Sequence, residues 1–293
     1  MSFSRTRDFG KDKMYSLSIK SKPRDTPGIL PLLYRFITWG WEENDQDEII
    51  IHFTGRKQAA EFKDLVLSAA PECTFDLKPV ADKDWTQDWK QFFTPIRIND
   101  TFVILPEWLA HEPSSLTRII ITPKMAFGTG HHATTSLCLK ILSSLSAKGL
   151  INKQDRFLDL GTGSGILGIA GAKLGLSGAG IDMDPSAVDN ARENISLNRV
   201  QDRFQVKTAD ISAIGRDRKY NLVFANILAA TLVDYAPQIL SFLDEDRYCL
   251  ILSGILDKQA RAVTEVYEKS LTARPEILKE GEWAALVWTH GYR

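Results

Sequence analysis

The chain has 293 residues, 44% of them hydrophobic and 25% charged, and 36 Lys+Arg against 37 Asp+Glu leave a net charge of -1. That length suggests about two domains, the composition is that of an ordinary soluble globular protein, and the balanced charge lacks the basic excess of a nucleic-acid binder. Cys73, Cys138 and Cys249 lie far apart with no Cys-x-x-Cys pair, which argues against a zinc site or disulfide framework and for a reducing, cytosolic setting.

Residues 1–13 are polar, without an apolar stretch of signal-peptide length. No run reaches the roughly 18 apolar residues that span a bilayer. Residues 14–19 alternate with period two, as a half-buried strand does. Pro23 to Thr26 gives loop and N-cap signals, after which Ile29, Leu32, Leu33, Phe36 and Ile37 recur at helical spacing. A strand follows at 48–53, then a helix over 56–70 with Ala59, Phe62, Leu65 and Val66 on one face. Pro71 ends it, and 73–80 is strand-like again. The order β-α-β-β-α-β predicts a ferredoxin-like α+β domain over 1–81. Trp39, Trp41 and Phe53 read as its core. The acidic run 42–48 reads as a solvated turn, the alternative being attraction for a basic substrate.

Residues 82–117 are expected to be a linker. It starts with a helical connector over 84–90 and continues with strands at 92–98 and 101–105, joined at the turn pair Asn99-Asp100. Beyond Pro123, strands at 156–160, 178–182, 203–208, 220–225 and 247–252 alternate with helical segments. That alternation means βαβ units and a doubly wound, largely parallel α/β sheet. Two last strands, 274–277 and 283–289, are expected as an antiparallel hairpin at the sheet edge.

The densest signal is the segment 156–168. A buried strand runs into Gly161-Thr162-Gly163-Ser164-Gly165, and a helix with Leu167, Ile169, Ala170 and Leu174 follows. Glycines permit positive φ and put no Cβ between backbone and ligand, while the helix N-terminus offers unpaired N–H groups and a favourable dipole. Gly163 to Gly168 also satisfies the dinucleotide fingerprint G-x-G-x-x-G, with Asp182 at the distance of a ribose ligand. By itself, the turn therefore leaves an NAD-dependent oxidoreductase open. Asp159, two residues before Gly161, suits a cationic amino-acid moiety better than a pyrophosphate.

Asp182 closes the next strand and is expected to accept both ribose hydroxyls, whereas Asp184, before Pro185, reads as a helix N-cap. Asp210 is open between an adenine contact and a loop cap. The strand that ends in Asn226 places an amide where a doubly wound sheet binds its ligands. Its carbonyl can accept from a substrate N–H and so orient a nitrogen lone pair; the plain alternative is a turn residue.

The loop 125–135, Met125-Ala126-Phe127-Gly128-Thr129-Gly130-His131-His132-Ala133-Thr134-Thr135, enters a helix carrying Leu137, Leu139, Ile141 and Leu142. Its adjacent histidines lack a Cys or carboxylate at ligand spacing, which argues against a metal. The form A-F-G-T-G-x-H-x-T-T, with D-x-G-x-G-S-G-I-L from Asp159, G-x-D-x-D-P from Gly180 and N-I-L from Asn226, resembles the ribosomal protein L eleven methyltransferase (PrmA) family. The resemblance covers most of the chain, including the small N-terminal domain and the Trp85-x-x-x-Trp89 connector.

The resemblance implies a class I, Rossmann-like methyltransferase domain over 118–293. It implies S-adenosyl-L-methionine as cofactor and methylation of lysine and α-amino groups of that ribosomal protein. Carried over by position, cofactor contacts fall on Thr135, Gly161, Asp182 and Asn226. The residues themselves add Gly163, Asp159 and Asp210, and also Phe127 and Gly128 of a loop expected to close over the site. Asn226 is the expected catalytic orienting group, with His131 assisting. The expectation is thus a cytoplasmic, monomeric, S-adenosylmethionine-dependent protein N-methyltransferase. Its partner is a ribosomal protein substrate, and it needs no metal, membrane or direct nucleic-acid binding. The alternatives are a protein-lysine methyltransferase with another target, an NAD-dependent oxidoreductase, or a non-catalytic ribosome-binding module with a relic cradle.

Overall fold

The chain packs as two units, residues 1–92 and 93–293. The computed structural model describes residues 15–20, 29, 32–33, 37, 41–43, 48–53, 55–79, 94–122, 130, 132–215, 218–271 and 273–292. The expected connector 84–90 and the site residues Phe127, Gly128 and His131 lie outside them, as do Trp39 and residues 44–47 of the acidic run.

In the first unit, β1 (Tyr15–Lys20), β2 (Glu42–Glu43), β3 (Glu48–Phe53) and β4 (Thr74–Pro79) form an antiparallel sheet in the order β2-β3-β1-β4. Leu17 stands opposite both Ile51 and Leu77, so the register keeps the apolar residues on one face. That face is covered by α1 (Arg56–Ala69), through Ala59, Phe62 and Val66, and by Ile29 and Leu33, which are helical. Phe53 is buried in this core and Trp41 packs against it. The strand order is that of the ferredoxin-like pattern.

The second unit begins with a hairpin, β5 (Ile96–Ile98) and β6 (Phe102–Pro106), turned at Asn99 with φ 47. A strand the sequence reading did not anticipate, β7 (Thr117–Ile121), then pairs parallel to β6. Residues 94–117 are therefore no free-standing linker. Ile98, Phe102 and Ile104 are buried in one cluster with Ile119, Ile121 and the side chains of the large sheet. Apolar burial joins this piece to the second unit.

That large sheet contains β8 (Arg156–Leu160), β9 (Ser177–Asp182), β10 (Phe204–Thr208), β11 (Leu222–Asn226), β12 (Tyr248–Leu256), β13 (Glu276–Glu280) and β14 (Trp283–His290), ordered β10-β9-β8-β11-β12-β14-β13. β8 to β12 run parallel; β14 is antiparallel to β12, and β13 to β14. The helices are α2 (Ala133–Ala147), α3 (Ile166–Lys173), α4 (Pro185–Leu197), α5 (Ala229–Asp234), α6 (Ala236–Ser241) and α7 (Asp257–Tyr267). Both faces of the sheet are buried: Phe157, Phe224 and Ile251 join one apolar cluster, and their neighbours Leu158, Val223 and Leu250 the other. This is why these strands read as apolar runs rather than alternations.

The outer edge of β7 is satisfied by side chains of α4 and the residue after it. Asn198 accepts from Ile120 N–H (2.9 Å) and donates to Ile120 C=O (2.6 Å), and Asn194 accepts from Thr122 N–H (2.9 Å). Two amides thus stand in for a fourth strand. Strand order reverses at β8, whose neighbours β9 and β11 lead to opposite sides of the sheet. The crevice beyond the C-terminal ends of such strands is where ligands bind. Among the described residues no helix is long and apolar enough to cross a membrane.

Candidate active site

The chain leaves β8 at Leu160 and turns through Gly161, which has φ +70 and whose missing Cβ would lie 2.3 Å from Ile227 Cγ2. Only glycine fits there. Two residues on, Gly163 N–H donates to Asp182 Oδ2 (2.9 Å), and Asp184 N–H donates to Asp182 Oδ1 (3.0 Å). These bonds fix the Asp182 carboxylate at the end of β9, and each oxygen keeps a lone pair free for a vicinal diol. Asp184 caps α4 instead, accepting from Ser186 N–H (2.8 Å) with Pro185 in the first turn. The helix cap expected at Asp184 is thus observed.

Asp159 is 1% exposed, and its Oδ2 accepts from the Thr162 hydroxyl (2.7 Å) and from Gly168 N–H (3.2 Å). Burial pushes its carboxyl up from 3.8 to about 6; the Thr162 and Gly168 bonds hold it back, and the Asp182 charge adds to the rise. Asp159 therefore braces the glycine turn and stores ionisable charge beneath it. Asp210 caps the 3-10 turn Ile211–Ala213 by accepting from Ser212 N–H (2.8 Å) and the Ser212 hydroxyl (2.5 Å), and it also takes the Tyr235 hydroxyl (3.1 Å). The Ser212 bonds hold its carboxyl below the usual range, and the hydrogen bond to Asp210 raises the Tyr235 phenol. Of the two readings of Asp210, the loop cap is visible in these bonds.

Asn226 ends β11. Its Nδ2 donates to Thr135 Oγ1 (3.3 Å), a hydroxyl that is 0% exposed in the first turn of α2. The Asn226 Oδ1 is buried and has no hydrogen-bond partner among the described residues. Leaving such an acceptor unpaired costs about 1–3 kcal/mol, so a native site that keeps one calls for an explanation, and a ligand donor is one. Thr135, Gly161, Gly163, Asp182 and Asn226 belong to strand ends and first helical turns around the switch point. Phe127, Gly128 and His131 lie outside the described residues.

His132 has a role the sequence reading missed: it is the N-cap of α2, with Nδ1 accepting from Thr134 N–H (3.3 Å) and bonded to Thr134 Oγ1 (2.7 Å). Its ring meets Trp283 edge-on with centroids 4.7 Å apart, and burial lowers its pKa. Its position just before an apolar helical pattern is the signal that could have revealed the cap. Cys73, Cys138 and Cys249 are all buried, and burial pushes the Cys138 thiol up to about 12 and raises that of Cys249 as well. Neither Cys138 nor Cys249 is poised as a thiolate nucleophile. Among the described residues no three His, Cys, Asp or Glu are grouped to hold a metal ion.

A cradle with an immobilised carboxylate, a buried acid behind it and an unpaired amide carbonyl opposite can hold a nucleoside carrying a cation and orient an N–H nucleophile. The family pattern described as Ribosomal protein L11 methyltransferase (PrmA) matches residues 40–290. A ribosomal protein L11 methyltransferase of Haemophilus influenzae (strain PittEE) is 35% identical over 268 residues, 90% of this chain and 86% of that protein. One of Bacillus velezensis is 36% identical over 217 residues, 73% of this chain and 68% of its own. The crystal structure of the ribosomal protein L11 methylase of Lactobacillus delbrueckii subsp. bulgaricus superposes with a TM-score of 0.59 at 32% identity, covering 68% of this chain and 100% of that one. The sequence motifs, the sheet order and these likenesses agree: the chain belongs to the ribosomal protein L11 methyltransferase family.

Proposed function

We propose that this protein transfers methyl groups from S-adenosyl-L-methionine to lysine and α-amino groups of ribosomal protein L11. Family membership selects a methyltransferase over the dehydrogenase that the glycine turn alone leaves open. The observation that carries the mechanism is the buried, unpaired Oδ1 of Asn226 at the end of β11.

The residues present fit the cofactor. Gly161 carries the turn at φ +70, packed on Ile227, and bares its backbone as a nucleotide-holding turn requires. Asp182 takes the ribose hydroxyls, and Asp159, charged above about pH 6, favours the amino-acid cation. The cofactor supplies a methyl carbon made electrophilic by its sulfonium. An attacking amine must be neutral, although lysine's ordinary pKa is about 10.4; desolvation and nearby positive charge both favour the neutral form. Asn226 Oδ1 would accept one amine N–H and so orient the nitrogen lone pair. Thr135 Oγ1 engages Nδ2, which fixes the amide's orientation and leaves the carbonyl free for a ligand donor. Water carries the released proton away, so no strong general base is required. Phe127, Gly128 and His131, expected from the sequence to contribute here, lie outside the described residues. Residues 1–81 recognise the protein substrate, and the reaction proceeds in the cytoplasm with a monomeric enzyme and no direct contact to nucleic acid.

The test is incubation with isotopically labelled S-adenosylmethionine and L11, followed by mapping of the labelled amines. Label on lysine and N-terminal nitrogens of L11 supports the proposal; label on another protein's lysines, with L11 untouched, transfers it to a different target. Asn226→Ala is expected to lower turnover by about a hundredfold or more, the scale of one lost transition-state hydrogen bond, and far more than it lowers cofactor affinity. Equal losses in turnover and affinity would refute the role given to Asn226.

A further inference from the structure

The last residue of a strand is poorly held unless something grips the chain beyond it, and Asn226 is such a residue. The next residue, Ile227, is held on both sides by glycines of positive φ. A Cβ on Gly161 would lie 2.3 Å from Ile227 Cγ2. On the other side, a Cβ on Gly254 (φ +80) would lie 2.4 Å from Ile227 O, 2.9 Å from its carbonyl carbon and 3.1 Å from its N. The second set is backbone and cannot swing aside as a side-chain tip does.

Gly254 sits in a β-bulge. β12 pairs with β14 at Leu252↔Leu286 and resumes at Ile255↔Ala284, so Ser253 and Gly254 oppose one residue. Ser253 is 0% exposed and stands in register with Asn226 on β11. Its hydroxyl shares its proton between Thr134 C=O (3.3 Å) and Ala284 C=O (3.4 Å). Thr134 adjoins Thr135, the acceptor of the Asn226 amide. Asn226, Thr135, Thr134 and Ser253 thus close a ring, and Gly254 presses on the turn that follows Asn226.

We propose that the Ser253–Gly254 bulge is the positioning device that aims the Asn226 carbonyl at the substrate amine. Gly254 and Ser253 are positioning residues, acting only through Asn226; the inference rests on the role given to Asn226 above. A displacement of about 1 Å in an orienting group costs about a hundredfold in rate, and a Cβ at Gly254 must displace the 227 backbone by at least part of that.

The experiment compares Gly254→Ala, Ser253→Ala and Gly281→Ala, each alone and with Asn226→Ala. Gly281 has φ +59 and nothing within 4 Å of an added Cβ, so its variant carries the left-handed strain without the collision. Gly254→Ala is expected to lower kcat about a hundredfold, far more than it lowers cofactor affinity, while Gly281→Ala keeps kcat. With Asn226→Ala present, Gly254→Ala should lower kcat no further. A wild-type kcat in Gly254→Ala, or a loss that persists in full on the Asn226→Ala background, overturns the proposal. Should Gly254→Ala fail to fold, Ser253→Ala, which only deletes a hydroxyl, takes its place in the same cycle, and the same results support or overturn the proposal. The side-chain amide NMR signal of Asn226, identified as the one missing from Asn226→Ala, is expected to move in the bulge variants and stay fixed in Gly281→Ala. An unmoved signal overturns the positioning role even if no methyl transfer is found, whereas a moved signal in an inactive wild-type enzyme sinks the functional reading alone.

Discussion

Replacing Asp159 with Asn should make the folded protein more stable at neutral pH while weakening its hold on the cofactor. Asp159 is 1% exposed, and burial raises its carboxyl from 3.8 to about 6. A rise of roughly two units is about 3 kcal/mol of preference for the neutral acid in the folded state. Between those values the folded protein holds more protons than the unfolded chain. The associated stability is therefore full below 3.8 and is lost as pH rises through about 6. An Asn Oδ1 can still accept from Thr162 and Gly168 N–H, and it carries no charge. After the cost of placing an amide NH2 in the pocket, Asp159→Asn should exceed the wild type by about 1–3 kcal/mol near pH 7.5, with the difference shrinking toward about pH 4.5. Urea unfolding of both proteins across that range, without cofactor, measures it. A difference that stays constant from one end to the other would refute the reasoning, because the carboxyl would then not titrate in this window. Isothermal calorimetry should show the opposite trend in function: weaker S-adenosylmethionine binding, no longer falling as pH drops through about 6.

Three further outcomes follow from named contacts. Asp182→Asn retains one acceptor for the Gly163 and Asp184 N–H groups in place of two, so cofactor Kd should rise roughly a hundredfold, about 3 kcal/mol of charged hydrogen bonding; an unchanged Kd would remove Asp182 from the cofactor site. Gly168→Ala gains helix propensity, yet its Cβ would lie 2.2 Å from Phe204 Cζ, in a ring whose centroid is 5.2 Å from that of Phe157. Overpacking of about 1–3 kcal/mol should prevail, visible as a lower Tm, and a raised Tm would show that the ring can yield. Arg247→Ala strands Asp155, 2% exposed and ion-paired with Arg247, and should cost about 3 kcal/mol; adding Asp155→Asn should recover part of the loss, and a further drop in Tm would count against the buried charge as its cause.

Much of this protein could be read in one dimension. Strands expected at 156–160, 178–182 and 203–208 lie within a residue of β8, β9 and β10; β8 was legible because a strand buried on both faces writes its apolar run into contiguous sequence. The terminal hairpin and the helix cap at Asp184 were equally local, since turn and cap chemistry depends on neighbours along the chain. β7 was less legible. Its outer edge is completed by Asn194 and Asn198, over seventy residues later, and no window of sequence contains both partners.

By itself, then, the sequence determined the two-part organisation, the doubly wound sheet, the glycine cradle and the family. Each of these is recorded by periodicity or by motifs a few residues long. Only the tertiary structure decided how the cradle is equipped: that Asp159 is a buried brace, that Asp210 is tied into its own loop, and that Thr135 holds Asn226 so that one carbonyl is left unpaired. The Ser253–Gly254 bulge against Ile227 belongs to the same class. Hydrogen bonds and steric contacts act over a few ångströms, and those ångströms are crossed between strands and helices whose separation along the chain has no fixed relation to their distance in space.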